Sequence, residues 1–148
     1  MPGSNSSYQR RPTTAADVFP IVRTCMAQAL DVPEVLIEPT TAFFDELAAT
    51  SFDVVDLLHR LDEATGAIGD THDLRTLIRG DLAPDQFADA SGRLTERGRA
   101  QVVELLPHRR AVTRQPQTPE DAVSSLTAWA IAMIVGRRVT AQEQAAHR

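Results

Sequence analysis

Apolar residues spaced three and four apart, directly after a polar junction, constrain this chain more than any other feature. Phe52, Val55, Leu58 and Leu61 recur in three-residue steps, and Val54, Leu58 and Leu61 in steps of four and three. The spacing predicts a helix from about Ser51 to Ala64 with one buried face. Thr50 or Ser51 caps its start. Thr50-x-x-Asp53 reads as a capping box with Asp in the place of Glu or Gln. Gly66 suits the C-terminal cap. Asp53, Asp56, Arg60 and Glu63 fall on the opposite, mostly acidic face. A serine hydroxyl thus stands at the positive end of a helix, beside acidic surface.

The same period runs through the rest of the chain. Alternating β-branched runs are almost absent, so the fold class expected is all-α, in one domain of 148 residues. Residues 1–12 are polar and arginine-bearing and read as a disordered lead-in. A first helix spans Asp17 to Leu30, with Asp17 as N-cap, Pro20 in the first turn and Val18, Ile21, Val22, Cys25, Met26 and Ala29 on one face. Pro33 and Pro39 then forbid a continuous helix. The loop to Leu47 still carries Val35, Leu36, Ile37, Phe43, Phe44 and Leu47, so it should lie across the core. A short helix over Leu74, Leu77 and Ile78 is capped by Asp70 or Thr71 and ends at Gly80, and an irregular turn holds Leu82, Pro84 and Phe87. Thr95 caps a helix through Leu106, which Pro107 stops. Residues 108–117 read as a basic loop. Thr118-Pro119-Glu120-Asp121 opens a last helix that runs to Gly136, where Arg137-Arg138 ends it and leaves a polar tail over 137–148.

Charge and cysteine usage exclude several roles. The net charge is −5, but residues 31–90 hold fourteen acids against three arginines. That acidic middle disfavours nucleic acid and suits basic patches on other proteins. Cys25 is the single cysteine, so no internal disulfide forms, and its place on an apolar face makes it a buried thiol. No secretory leader is evident, and the longest apolar run, Ala128 to Val135, is too short to span a membrane. A cytoplasmic monomer is the expectation. Every basic residue other than histidine is arginine, which hints at a GC-rich genome.

No catalytic constellation emerges. His59, His72, His108 and His147 are scattered, without metal-ligand spacing, and His59 precedes Glu63 by four residues as a surface contact would. There is no glycine-rich phosphate loop and no Gly-x-Ser-x-Gly elbow around Ser51. The acids fall on solvated faces. The expectation is a protein that is not an enzyme. Ser51 is then either an ordinary cap or an attachment point for a phosphate-linked group, which a helix start favours through its free N–H groups and dipole by roughly 0.3–1 kcal/mol per exposed charge.

The order of these features resembles the acyl carrier protein family. Phe44-Asp45-Glu46-Leu47, then Ala49-Thr50-Ser51-Phe52 opening an acidic amphipathic helix, is similar to the family run Phe-x-(Asp/Glu)-Leu-Gly-x-Asp-Ser-Leu. Thr118-Pro119-Glu120-Asp121-Ala122-Val123 resembles the start of the family's final helix. The resemblance covers about Asp17–Gly66 and Thr118–Gly136. It implies a carrier with 4'-phosphopantetheine, drawn from coenzyme A, joined covalently to Ser51 and holding an acyl group as a thioester. It further implies a phosphopantetheinyl transferase and acyl-loading, acyl-transfer or condensing enzymes as partners, met by Asp45, Glu46, Asp53 and Asp56. Val55, Leu58, Leu61 and the last helix would line an acyl cleft.

Three positions depart from the family run: Thr50 stands for its Asp, Phe52 for its Leu and Ala48 for its Gly. No Gly-Gly-(His/Asp)-Ser run of peptidyl carriers occurs, so the cargo implied is acyl, for fatty acid, specialised lipid or polyketide biosynthesis. The segment 67–117 replaces a short third helix. Its layout is similar to that of larger, specialised bacterial carriers, including those serving very long acyl chains. It enlarges an acyl cavity, binds a dedicated partner or caps the bundle end. The competing reading is an unmodified module of carrier shape that binds a biosynthetic enzyme. The domain expected is 13–136, with the insertion inside it.

Overall fold

The computed structural model describes residues 14–71, 73–106 and 116–146. The expectations for residues 1–12, His72, Pro107, His147 and the basic loop over residues 108–115 lie outside them. Among the described residues there are seven α-helices and no strand, an all-α bundle of acyl-carrier type as the sequence predicts. The helices are α1 (Ala15–Leu30), α2 (Ser51–Thr65), α3 (Leu74–Arg79), α4 (Pro84–Phe87), α5 (Glu96–Leu105), α6 (Pro119–Ser124) and α7 (Ala128–Ala146). One 3-10 turn, Glu34–Leu36, interrupts the long loop.

α1 is the central helix, packed on α7 and α2. It starts earlier than expected, because the Thr14 hydroxyl, not Asp17, caps it by accepting from the Asp17 N–H. Pro20 therefore falls inside the helix and not in its first turn. Its missing N–H leaves the carbonyl of Ala16 without its usual helical donor. Val18, Val22, Cys25 and Met26 are buried on the face that meets the other helices.

The last helix is two helices. The sequence predicts one run from Thr118 to Gly136, but Ser124 and Ser125 turn their hydroxyls back onto the carbonyls of Glu120 and Asp121, and α6 ends there. The break frees backbone groups that catch the long loop. Phe43 N–H donates to Leu126 O, Ala128 N–H to Thr41 O and Trp129 N–H to Pro39 O, around a single bridge between Ala42 and Thr127. The Thr127 hydroxyl then accepts from Ala130 N–H and restarts the helix. α7 does not stop at Gly136: it continues to Ala146, because Arg138 is held by its guanidinium to the carbonyls of Ala67 and Ile68.

Loop burial is split. Ile37 and Phe43 are fully buried and Phe44 and Leu47 half-buried, whereas Val35 and Leu36 are 81% and 57% exposed. The 3-10 turn directs those two outward while Glu34 is held to α1 by Thr24 and Arg23.

Between α2 and α6, the described residues are held by contacts among themselves and by packing on α6 and α7. α3 is capped by Asp73, closer to the helix than the Asp70 or Thr71 expected. The expected irregular turn is the single-turn α4, and Thr95 caps α5 as predicted. Gly98 of α5 sits so close to α4 that a Cβ there would lie 2.1 Å from the Phe87 carbonyl oxygen. Asp89 folds the connection back. A hydrogen bond from the Ser91 hydroxyl, then those from the Arg93 and Ser91 N–H groups, hold its carboxyl below the usual range.

Candidate functional site

The start of α2 is built by the capping box that the sequence suggests. Thr50 is the N-cap. Its hydroxyl accepts from Asp53 N–H at 3.2 Å, and the Asp53 carboxylate accepts from Thr50 N–H at 2.8 Å. Ser51 is consequently the first helical residue, not the cap. Its side chain is exposed and makes no hydrogen bond to the described residues. Its hydroxyl is free for chemistry at the positive end of a helix of 15 residues, where an anionic ester is favoured.

Beside Ser51 lies an open cleft of about 460 Å³ between α2, α3 and α6. Phe44, Val54, Val55, Leu74 and Val123 give it an apolar lining. Arg75 and Glu120 form an ion pair at its border, joining α3 to α6. Leu58 and Leu61, expected in the lining with Val55, are instead core residues below it.

The buried face of α2 is Val54, Leu57, Leu58 and Leu61. Phe52 and Val55, which the three-residue steps assign to that face, are 84% and 46% exposed. The reason is helical drift. Steps of three residues turn about 60° short of a full circle each time, so Phe52 and Leu61 end on opposite sides. Phe52 thus stands as an exposed ring next to Ser51.

The four acids singled out for partner binding lie around this helix start. Asp45 is exposed and makes no bond to the described residues. Glu46 accepts from Ala42 N–H at 2.8 Å, Asp53 belongs to the capping box, and Asp56 pairs with Arg60 at 3.0 Å. His59 lies 3.6 Å from Glu63 on the surface. No cluster of potential metal ligands occurs among the described residues.

Ala48 closes the loop before the cap with φ of +54°, a left-handed conformation that favours glycine. The family run carries glycine at this place. The backbone shape is therefore kept without the residue that suits it best.

Cys25 is buried in α1, and burial pushes its thiol above the ordinary value, with Arg60 opposing and Glu63 adding to the shift.

Compared with known families, residues 20–77 match the family described as "Phosphopantetheine attachment site". No curated protein and no solved structure matches the chain. Residues 20–77 are a phosphopantetheine attachment domain, consistent with membership of the acyl carrier protein family. Such a domain is the attachment site for covalently bound 4'-phosphopantetheine, and the exposed hydroxyl, the helix start and the adjoining cleft fit that group. Domains of this kind are generally non-catalytic and work with a phosphopantetheinyl transferase and biosynthetic enzymes. No helix among the described residues is long and apolar enough to cross a membrane.

Proposed function

Starting from that attachment domain, we propose that Ser51 bears the phosphopantetheine arm and that the chain is an acyl carrier holding its cargo as a thioester. One observation carries the assignment: Ser51 is the only serine between residues 20 and 77, and it is exposed on the first turn of α2. When bound, the arm supplies a thiol at the end of a flexible tether. The chain's own residues supply the rest. Thr50 and Asp53 fix the helix start, so the Ser51 hydroxyl projects outward. The Phe44, Val54, Leu74 and Val123 side chains offer an apolar recess beside it.

Asp45, Glu46, Asp53 and Asp56 present the acidic surface that a basic partner meets. A carboxylate has acceptor capacity beyond one hydrogen bond, so the local bonds of Glu46 and Asp53 leave their charge available. The exposed Phe52 ring adds an apolar contact in the middle of that surface. The domain we propose spans 13–136 with its insertion at about 67–117. Fatty acid, specialised lipid or polyketide assembly is the setting these features suit.

The test is incubation with coenzyme A and a broad-specificity phosphopantetheinyl transferase, followed by intact mass. The wild type gains one arm and Ser51→Ala gains none. Failure of the wild type to gain mass with several transferases, one from the native host among them, would defeat the proposal.

A further inference from the structure

Of the three arginines between residues 31 and 90, Arg60 is paired with Asp56 on α2, and the other two, Arg75 and Arg79, stand one turn apart on α3. Arg75 lines the same cleft as Ser51, and among the described lining residues it is the only cation. We infer that Arg75 holds the phosphodiester of the arm on Ser51 and turns the arm towards α3. This role rests on attachment at Ser51 and adds to it a binding residue and a direction.

Arg75 has donors to spare. A guanidinium carries five N–H groups in a planar fork. Among the described residues, the Arg75 side chain donates one hydrogen bond, from Nη1 to the Glu120 carboxylate. Asp73 lies 3.8 Å from Nε, beyond hydrogen-bond distance. The Nε–Nη2 edge therefore makes no hydrogen bond to the described residues, and such an edge takes two oxygens of a phosphate side by side. Arg75 and Glu120 are 52% and 64% exposed, so their ion pair is weak and yields to a better acceptor.

Charge sets the direction. A phosphodiester brings one negative charge to Ser51, where Asp45, Glu46, Asp53 and Asp56 already crowd the helix start and repel it. Over the cleft it meets Arg75 instead, with Arg79 one turn behind. Arg79 and Arg75 both line an adjoining hollow of about 200 Å³, and the Arg79 Nε is buried without a hydrogen-bond partner among the described residues. Its charge adds to the positive potential of this side of α3. Asp73 and Glu120 compete for Arg75, but a phosphate joined to Ser51 competes as a tethered group, at an effective concentration on the order of millimolar. Held there, the arm starts away from the four acids and leaves them open to a basic partner.

The test compares isotope-labelled apo- and holo-protein by NMR, after intact mass of wild type and Ser51→Ala has placed the arm. The arginine Nε–Hε signals and the phosphorus signal of the arm are followed. Loading should shift the Arg75 Nε–Hε signal and leave that of Arg60 in place. Phosphorus relaxation should be that of a restrained group in wild type and that of a free tether in Arg75→Gln. It should be more restrained still in Glu120→Gln, where a competing carboxylate is gone. Arg75→Lys keeps the charge but loses the fork, and should fall between wild type and Arg75→Gln. An Arg75 that only ties α3 to α6 would alter the amide signals of both helices alike in apo and holo protein, and would leave the phosphorus signal unmoved. If Arg75→Gln misfolds, the wild-type shift and Glu120→Gln decide the outcome. An Arg75 signal that loading does not move, or a phosphodiester as mobile in wild type as in Arg75→Gln, overturns the role of Arg75 and leaves attachment at Ser51 standing. A protein that takes no arm on Ser51 refutes attachment there, and the role of Arg75 falls with it.

Discussion

Replacing Ala48 by glycine should stabilise this protein, against the usual sign of that exchange. In an exposed helix interior, Ala→Gly costs about 1 kcal/mol. Ala48 is not in that setting. Its φ is +54°, its side chain is exposed, and its N–H is already bonded to Phe44 O at 3.1 Å. A left-handed alanine costs about 1–2 kcal/mol relative to its relaxed conformation. Glycine removes that strain and gives back roughly 0.5–1 kcal/mol through the greater freedom of the unfolded chain. No packing is lost, since the methyl is exposed. The net gain is about 0.5–1 kcal/mol, or an increase of about 2–3 °C in Tm for a chain of this length. Urea and thermal unfolding should be run beside Ala100→Gly, an exposed position inside α5, which should lose about 1 kcal/mol. If both exchanges destabilise equally, the strain assigned to Ala48 is wrong.

Other outcomes follow from the same geometry. Thr50→Ala removes the hydroxyl that accepts from Asp53 N–H and should cost about 1 kcal/mol in urea unfolding, while Thr50→Ser should be nearly neutral. Phe52→Ala should change stability by less than about 0.5 kcal/mol, and Leu57→Ala should cost about 2–5 kcal/mol, in chemical denaturation. Cys25 should resist alkylation in the native state. Because burial raises its folded pKa above the unfolded value, its contribution to stability is fully present below that value and is lost as pH rises through the folded one. The loss should therefore begin at about pH 9, and Cys25→Ala should remove that alkaline slope.

Much of the fold is legible because helix signals are local. Thr50 with Asp53, Gly66, Thr95 and Thr118-Pro119 all mark helix ends where the structure has them. The break between α6 and α7 was hidden because it is made by a tertiary partner. Ser124, Ser125 and Thr127 are tolerable inside a helix, and only the loop at Pro39–Phe43 makes a gap there favourable. The continuation of α7 past Gly136 has a related cause. Paired arginines near a glycine suggest a helix end, yet the bonds to Ala67 and Ile68 are long-range and give no local signal. Around the site, spacing placed Ser51 at a helix start and Asp53 and Asp56 on its acidic face, while their roles, and those of Asp45 and Glu46, came from the resemblance of the run Phe44–Phe52 to the carrier family. The outward face of Phe52 and the burial of Leu57 follow only when each position is turned around the helix axis, which three-residue steps do not do. The left-handed turn at Ala48 was marked only by the glycine of the family run.

The most direct measurement is peptide mapping of the protein recovered from its own host. The tether proposal predicts a phosphopantetheine ester on the peptide containing Ser51, with part of the pool bearing an acyl group that hydroxylamine releases. A pool in which that peptide is wholly unmodified, recovered with a biosynthetic enzyme in a stable complex, would contradict it and establish an interaction module of carrier shape.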